Sequence, residues 1–354
     1  MSAAGGRRRV LFVVRGRLGD TVAAYATVRA WKDAFAQDDV TLLVRANYAP
    51  LFAREAGIRV LGAGGRLSMR LRAAQLRLFE PDFDALLVLL GSGPEIEILG
   101  RVLRAARKLF LDARYAPVFP EWPEMPPEHI HSEPAWRVAA LYEPRLAQPR
   151  RSSIPSLAAL RRPGNAVGIA PASDEARRTL SPAALRTLVA ALRARHPGRE
   201  IRVLVNPADA LARPLRAAGA PAGARFVGFP TLEALIAELA QLEHLYSTDT
   251  GLHHLGCAVG VPTTTFFGPT QPWKNTFPEQ PGLARVRLAG LGGAHCEVKD
   301  CADPVCLERA IALHAGSAPD TSLARVPTAC PMRGCAPGSL ERLAAPAAAA
   351  VPVH

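Results

Sequence analysis

The sequence predicts an α/β protein made of two doubly wound, Rossmann-like domains. Three observations carry this expectation. Short continuous apolar runs of strand length alternate with longer stretches of helical spacing, the pattern of a parallel sheet covered by helices. The alternation breaks off in a proline- and arginine-rich stretch, residues 144–164, and then starts again. The chain has 354 residues, of which 49% are hydrophobic, enough for two cores at roughly 150 residues per domain. The expected division is 1–150, 151–316 and an Ala/Pro-rich tail, 317–354, that is poorly ordered.

The elements follow in order. Val10–Val14 reads as a buried strand, and the loop Arg15-Gly16-Arg17-Leu18-Gly19-Asp20 leads into a helix over Thr21–Phe35. Val40–Val44 is the next strand, followed by a helix over Leu51–Ala56, a short strand at Val60–Leu61 and a helix over Leu67–Leu78. Asp84–Leu90 is a strong strand that ends in Gly91-Ser92-Gly93 before a helix over Ile96–Ala106. A Pro- and aromatic-rich connector, Tyr115–Pro127, precedes a helix at His131–Leu141. The second half runs strand Ala166–Ala170, helix Pro182–Arg195, strand Ile201–Val205, helix Leu232–Leu242, strand His244–Ser247, helix Leu252–Val259 and strand Thr263–Phe267.

The net charge of +12 favours anionic partners. The arginines are spread along the expected helices, and no dense basic block stands beside aromatics as a nucleic-acid platform requires, so nucleic acid is not the expected partner. The apolar run after the first arginines is too short for a secretory leader, and no stretch approaches the roughly 20 apolar residues of a membrane span. A cytoplasmic protein is expected.

Four segments carry candidate chemistry. In the first, Arg15, Arg17, Gly19 and Asp20 lie at a strand-to-helix turn, the place where open α/β sheets bind ligands. Gly19 would allow close backbone approach, and Asp20 could accept a proton from a hydroxyl or simply cap the helix. In the second, Pro171-Ala172-Ser173 and then Arg177-Arg178 offer a small-residue loop, a hydroxyl and two cations suited to phosphate. In the third, Asp249-Thr250-Gly251 stands where a strand ends and a helix begins. The helix amides form an anion site, and Asp249 could hold sugar hydroxyls. His253 and His254 are not expected to act as a metal pair, because adjacent helical residues face apart. In the fourth, Gly268-Pro269-Thr270-Gln271-Pro272 is a stiff turn after the last strong strand.

Together these segments resemble glycosyltransferase family 9, the ADP-heptose:lipopolysaccharide heptosyltransferases, over roughly residues 8–312. The Arg-x-x-x-Gly-Asp motif is matched by Arg15 to Asp20, and the strand-Gly-Ala-Ser-…-Lys segment by Gly168 to Arg178. Asp-Ser-Gly-x-x-His-x-Ala…Gly-x-Pro…Phe-Gly-x-Thr is matched by Asp249 to Thr270, with Thr250 for Ser and Gly256 for Ala. The resemblance implies a GT-B fold, two Rossmann-like domains facing across a cleft, and inverting sugar transfer that needs no cofactor. It implies Asp20 as general base, with Arg15, Arg17 and Gly19 on the acceptor side. It implies a nucleotide-sugar donor, ADP-heptose, held by Ser173, Arg177, Arg178, Asp249, Thr250, Gly251, His254 and Thr270. Arg177, or Arg178 beside it, would replace the family's phosphate-binding Lys, which keeps the charge and changes the geometry. The implied acceptor is an anionic glycolipid or glycan of lipopolysaccharide-core type, with peripheral contact at the cytoplasmic face of the inner membrane. Two alternatives stand beside this reading: a related GT-B transferase acting on a protein or capsule, and a basic protein that binds nucleic acid or an anionic surface. Sugar-nucleotide epimerases share the GT-B fold, but their motifs are not evident.

Cys296, Cys301 and Cys306 lie at C-x4-C-x4-C, and Cys330 and Cys335 repeat the gap. Thiolates gathered in this way could bind a structural zinc or iron. Structural zinc sites usually have tighter C-x2-C spacing, so free thiols are the expectation. Elemental analysis of protein purified without a His-tag should find less than about a tenth of an equivalent of zinc or iron. One full equivalent would contradict the expectation of free thiols.

Overall fold

A computed structural model describes residues 6–126, 129–288, 305–316 and 340–342. The chain divides into two compact units, Met1–Ser156 and Leu157–His354.

The N-terminal unit holds strands β1 (Arg9–Val14), β2 (Asp39–Arg45), β3 (Ile58–Ala63), β4 (Phe83–Leu90) and β5 (Ala105–Phe110). Its helices are α1 (Leu18–Ala34), α2 (Arg66–Phe79), α3 (Pro94–Val102) and α4 (Glu133–Tyr142). The sheet order is β3-β2-β1-β4-β5, with every pairing parallel. Val10–Val14 in β1 is buried without alternation because helices cover both faces of the sheet. One face packs Leu11, Val13, Leu43 and Val88 against Met69, Leu76, Ile96 and Leu99. On the other, Phe12 meets Trp31 edge-on, with ring centroids 5.4 Å apart.

The C-terminal unit begins with the short helix α5 (Pro155–Ala158), which spans the boundary between the units. It continues through β6 (Ala166–Ala170), α6 (Pro182–Arg195), β7 (Glu200–Leu204), α7 (Arg213–Ala217), β8 (Ala224–Val227), α8 (Leu232–Gln241) and β9 (Leu242–Thr248). The remaining elements are α9 (Gly251–Val259), β10 (Thr263–Phe267), α10 (Pro272–Asn275), β11 (Leu283–Leu288), α11 (Val305–His314) and β12 (Leu340–Arg342). The sheet order is β12-β11-β10-β9-β6-β7-β8, parallel except for the antiparallel edge strand β12. Its core joins Ile169, Val203 and Phe266 to Leu188 and Leu192 of α6 and to Leu307 and Ile311 of α11. No helix among the described residues is long and apolar enough to cross a membrane.

Several boundaries differ from the sequence reading. The first helix starts at Leu18, not Thr21, so Asp20 lies in its first turn, where its carboxylate accepts the Arg17 amide as part of a capping box. Ala46–Leu51 forms a 3-10 turn where a helix over Leu51–Ala56 was expected; Pro50 lacks the amide that a longer helix would need. The expected helix Ile96–Ala106 stops at Val102, and the missed strand β5 follows. The strands β5 and β8 are edge strands whose outer residues stay partly exposed, so neither shows an apolar run. The missed strand β11 interleaves Leu283 and Val286 with the buried arginines Arg285 and Arg287, which masks it as polar. Within the tail, Leu340–Arg342 pairs with β11; the rest of that segment lies outside the described residues.

A histidine cluster marks the start of β9. The His244 ring lies 4.6 Å from that of Tyr246 and 6.5 Å from that of His196, and its Nε2 is 2.9 Å from Thr264 Oγ1. Burial, helped by the neighbouring His196, pushes the His244 imidazole down from 6.5 to about 4. The unfolded chain therefore binds more protons than the folded one between these values. Stability falls as pH drops from 6.5 towards 4, and that dependence ends below both values. His244→Gln should flatten the slope in this window by up to about 1.4 kcal/mol per pH unit. Urea midpoints measured across it check this, and an unchanged slope would contradict the assignment.

Candidate functional site

Both sheets reverse their strand order next to their first strand, so the connections after β1 and β4, and after β6 and β9, run to opposite sides of the sheet. Ligand sites of doubly wound sheets form at such points, beyond the carboxyl ends of the strands. The candidate residues lie there, in each unit separately.

In the N-terminal unit the loop after β1 is tied to the end of β4 by the Arg15 amide, which donates to the Leu90 carbonyl at 2.8 Å. This close approach requires glycine at position 16, where a Cβ would fall 2.2 Å from Leu90 Cδ2. Gly19, expected to open the turn, sits inside α1 with ordinary helical geometry, so the tight point is Gly16 instead. The Arg15 guanidinium donates to the carbonyls of Ala63 (2.8 Å) and Gly64 (2.7 Å). Its burial, with the nearby charge of Arg45, lowers its pKa. Arg17 occupies the N-cap position, and its amide donates to Asp20 Oδ2 at 3.1 Å. The other Asp20 oxygen, Oδ1, lies 2.8 Å from His131 Nε2, and about a third of the Asp20 side chain is exposed (31%). The sequence reading did not connect His131 to Asp20: a single histidine ahead of a helix, far away in the chain, carries no local signal.

In the C-terminal unit the loop after β6 folds on itself. Ser173 Oγ bonds Asp174 Oδ1 at 3.1 Å and receives the Glu175 amide at 3.4 Å, so the serine organises the turn. Arg177 and Arg178 lie on a 3-10 turn, Ala176–Arg178, and their side chains diverge. Arg177 is buried and donates through Nε to Glu175 at 2.7 Å. Arg178 crosses to the loop after β9. Its Nη1 donates to the Asp249 carbonyl at 2.9 Å and lies 3.5 Å from Asp249 Oδ2, while Nη2 reaches Asp174 and Glu175.

Asp249 is buried, and its Oδ2 also accepts from Asn275 Nδ2 at 3.2 Å, a partner supplied by α10 that the sequence reading missed. The cap of α9 is Thr250, whose Oγ1 accepts the Leu252 amide at 2.9 Å, so Asp249 keeps its carboxylate free of capping. Gly251 opens the helix. Thr270, in the turn after β10, is buried, and its hydroxyl has no hydrogen-bond partner among the described residues.

The two histidines correct the sequence reading. The rings of His253 and His254 lie 3.9 Å apart, and one ligand atom from each lies within 4.8 Å of Asp249. Both residues belong to the first turn of α9, where side chains lean back towards the helix start, so the rings converge despite the angular offset of adjacent positions. These three residues are the described group able to hold a cation. Arg178 already brings positive charge to Asp249. Of the five clustered cysteines, Cys306 is half-buried on α11; Cys296, Cys301, Cys330 and Cys335 lie outside the described residues.

By sequence, residues 147–304 match glycosyltransferase family 9 (heptosyltransferase). No curated protein matches the chain. Among solved structures, the Escherichia coli heptosyltransferase WaaC with ADP aligns at a TM-score of 0.65 and 17% identity, over 78% of this chain and 93% of that one. The E. coli ADP-heptose lps heptosyltransferase II aligns at 0.63 and 16%, over 87% and 100%. The iron-containing dodecameric glycosyltransferase TibC of enterotoxigenic E. coli aligns at 0.52 and 16%, over 83% and 64%. The chain thus has the GT-B fold of the heptosyltransferases, and its residues 147–304 are similar in sequence to glycosyltransferase family 9.

The contact between the two loops of the C-terminal unit is measurable as a coupling. A double-mutant cycle of Arg178→Ala and Asp249→Ala, read by urea unfolding, should give an interaction energy of about 1–3 kcal/mol. Additive effects would show that the contact of Arg178 with the Asp249 carboxylate contributes nothing, leaving the bond to the Asp249 carbonyl to tie the loops.

Proposed function

We propose that this chain is a family 9 glycosyltransferase, an inverting heptosyltransferase that moves heptose from ADP-heptose to a hydroxyl of a lipopolysaccharide-core-type acceptor. The observation that carries the reading is Arg178 laid against Asp249 across the strand-order reversal of the C-terminal sheet. A guanidinium, the start of α9 and a buried carboxylate are then gathered where a nucleoside diphosphate sugar needs charge neutralisation and hydroxyl recognition. The sequence match over residues 147–304 covers this segment. The solved WaaC structures, with ADP and with ADP-2-deoxy-2-fluoro heptose, support the choice of donor.

In the proposed step an acceptor oxygen bonds to the anomeric carbon as the bond to the diphosphate breaks. ADP leaves with the electron pair, and the acceptor proton passes to the Asp20 carboxylate. Asp20 sits in the first turn of α1 and accepts the Arg17 amide, both of which favour its charged form and make it a weak base. A late proton transfer, after the anomeric carbon has become cation-like, suits such a base. The departing diphosphate is stabilised by Arg178 and by the amides at the start of α9, with Thr250 and Gly251 at their head. Asp249 holds donor hydroxyls, and His254 and Thr270 complete the donor contacts. Arg177, bound to Glu175, supports the loop beside Arg178. No cofactor is required. The proposed setting is the cytoplasmic face of the inner membrane, which the protein contacts peripherally.

Asp20→Ala should cut the transfer rate by roughly 10²–10⁴-fold and leave ADP-heptose affinity unchanged; a variant keeping more than about a tenth of the rate removes Asp20 from the base role. Asp249→Ala and Arg178→Ala should each weaken ADP-heptose binding in calorimetry at least tenfold, about 1.4 kcal/mol, and Arg177→Ala should do so less. If Asp249→Ala and Arg178→Ala both bind the donor normally, the donor site lies elsewhere.

A further inference from the structure

We infer that the outer face of α2 seats the protein on an anionic lipid bilayer. The inference gives a location to the membrane contact proposed above. Among the described residues, the four most exposed large apolar side chains all belong to this helix: Leu67 (71%), Leu71 (65%), Leu78 (73%) and Phe79 (78%). The remaining exposed apolar side chains, such as Trp122 and Leu141, are scattered singly, as is normal for a protein surface.

The helix is apolar on two sides. Met69, Ala73 and Leu76 are buried in the core of the N-terminal unit. At roughly 100° per residue, Leu67, Leu71, Ala74 and Leu78 fall in one stripe on the opposite side, about 16 Å long. Nothing in the folding of the unit requires that stripe, since the inner face already anchors the helix. Arg66, Arg70 and Arg77 run along one flank, and Arg72 lies beyond the other. The helix holds these four arginines and no acidic residue.

This charge pattern selects the occupant. A second copy of the chain, packed symmetrically through the stripe, would bring the same arginines against each other. A bilayer surface rich in lipid phosphates accepts them. The leucines enter the acyl boundary, and the flanking guanidinium groups bend back to the phosphates. The net charge of +12 acts in the same direction. Because α2 is already folded against its own core, docking needs no coupled folding of the helix.

The test is co-sedimentation of the full chain with vesicles of phosphatidylcholine alone, or mixed with phosphatidylglycerol. The wild type should partition onto the mixed vesicles and not onto phosphatidylcholine. The triple variant Leu67→Ser/Leu71→Ser/Leu78→Ser should lose at least about tenfold in partitioning, with an unchanged melting temperature, because these side chains are exposed in the fold. Arg66→Gln/Arg70→Gln/Arg77→Gln, which leaves the leucine stripe intact, should also lose it. Three results would overturn the inference. The wild type could fail to bind mixed vesicles; it could bind them equally well after the leucine substitutions; or it could be a dimer that those substitutions turn into a monomer without vesicle binding. Calorimetry with ADP-heptose on the same variants separates the two readings. Vesicle binding without donor binding removes the proposed function alone, and donor binding without vesicle binding removes this inference alone.

Discussion

The reversal of strand order between β6 and β9 is the constraint on which the C-terminal unit depends. Connections on either side of a reversal run to opposite faces of the sheet, so the two loops leave an opening between them. Arg178 comes from one loop and Asp249 from the other, and they meet because β6 and β9 are hydrogen-bonded neighbours although more than seventy residues separate them in the chain. The N-terminal sheet repeats the arrangement with β1 and β4. There, Gly16 lets the loop after β1 come down onto Leu90, and Asp20 is fixed in the first turn of α1. In both units the buried strands deliver the loops to one end of the sheet, and in the C-terminal unit the hydrogen bonds of Ser173 and Glu175 then fix the loop that carries Arg178.

Electrostatics in the C-terminal loops is arranged around one cation. Arg178 is shared among Asp174, Glu175 and both the carbonyl and the carboxylate of Asp249. A buried charge is tolerable only when paired in this way. An arriving diphosphate would add negative charge to a guanidinium already held by carboxylates, with the first amides of α9 sharing the load. The divergence of Arg177 and Arg178 follows from the 3-10 turn, which places consecutive residues about 120° apart. One side chain therefore goes into its own loop and the other across to Asp249.

Much of this was legible in the sequence. The strand-length runs at 10–14, 84–90, 166–170 and 263–267 read as strands, and the structure places them in the interior of the two sheets. The small-polar segment at Asp249 to Gly251 reads as lying between a strand and a helix, and β9 ends at Thr248 and α9 begins at Gly251. What stayed hidden was non-local. Asn275 reaches Asp249 and His131 reaches Asp20 through tertiary folding, and neither has a neighbour in sequence that betrays the contact. The edge strands β5 and β8 were missed because half-exposed strands lose the apolar pattern. The convergence of His253 and His254 escaped the helical-wheel argument, which places backbone positions but does not follow side chains as they lean back at a helix start.

The account stands on a nucleotide-sugar site in the C-terminal unit. Thermal unfolding of the purified protein with ADP-heptose, UDP-sugars and GDP-sugars at one concentration tests it most directly, because a ligand that binds only the folded state raises the melting temperature, and the rise grows with the logarithm of its affinity. ADP-heptose should raise it most, and Asp249→Ala should abolish the rise. A panel in which no nucleotide sugar shifts the transition, or in which Asp249→Ala responds like the wild type, would contradict the account.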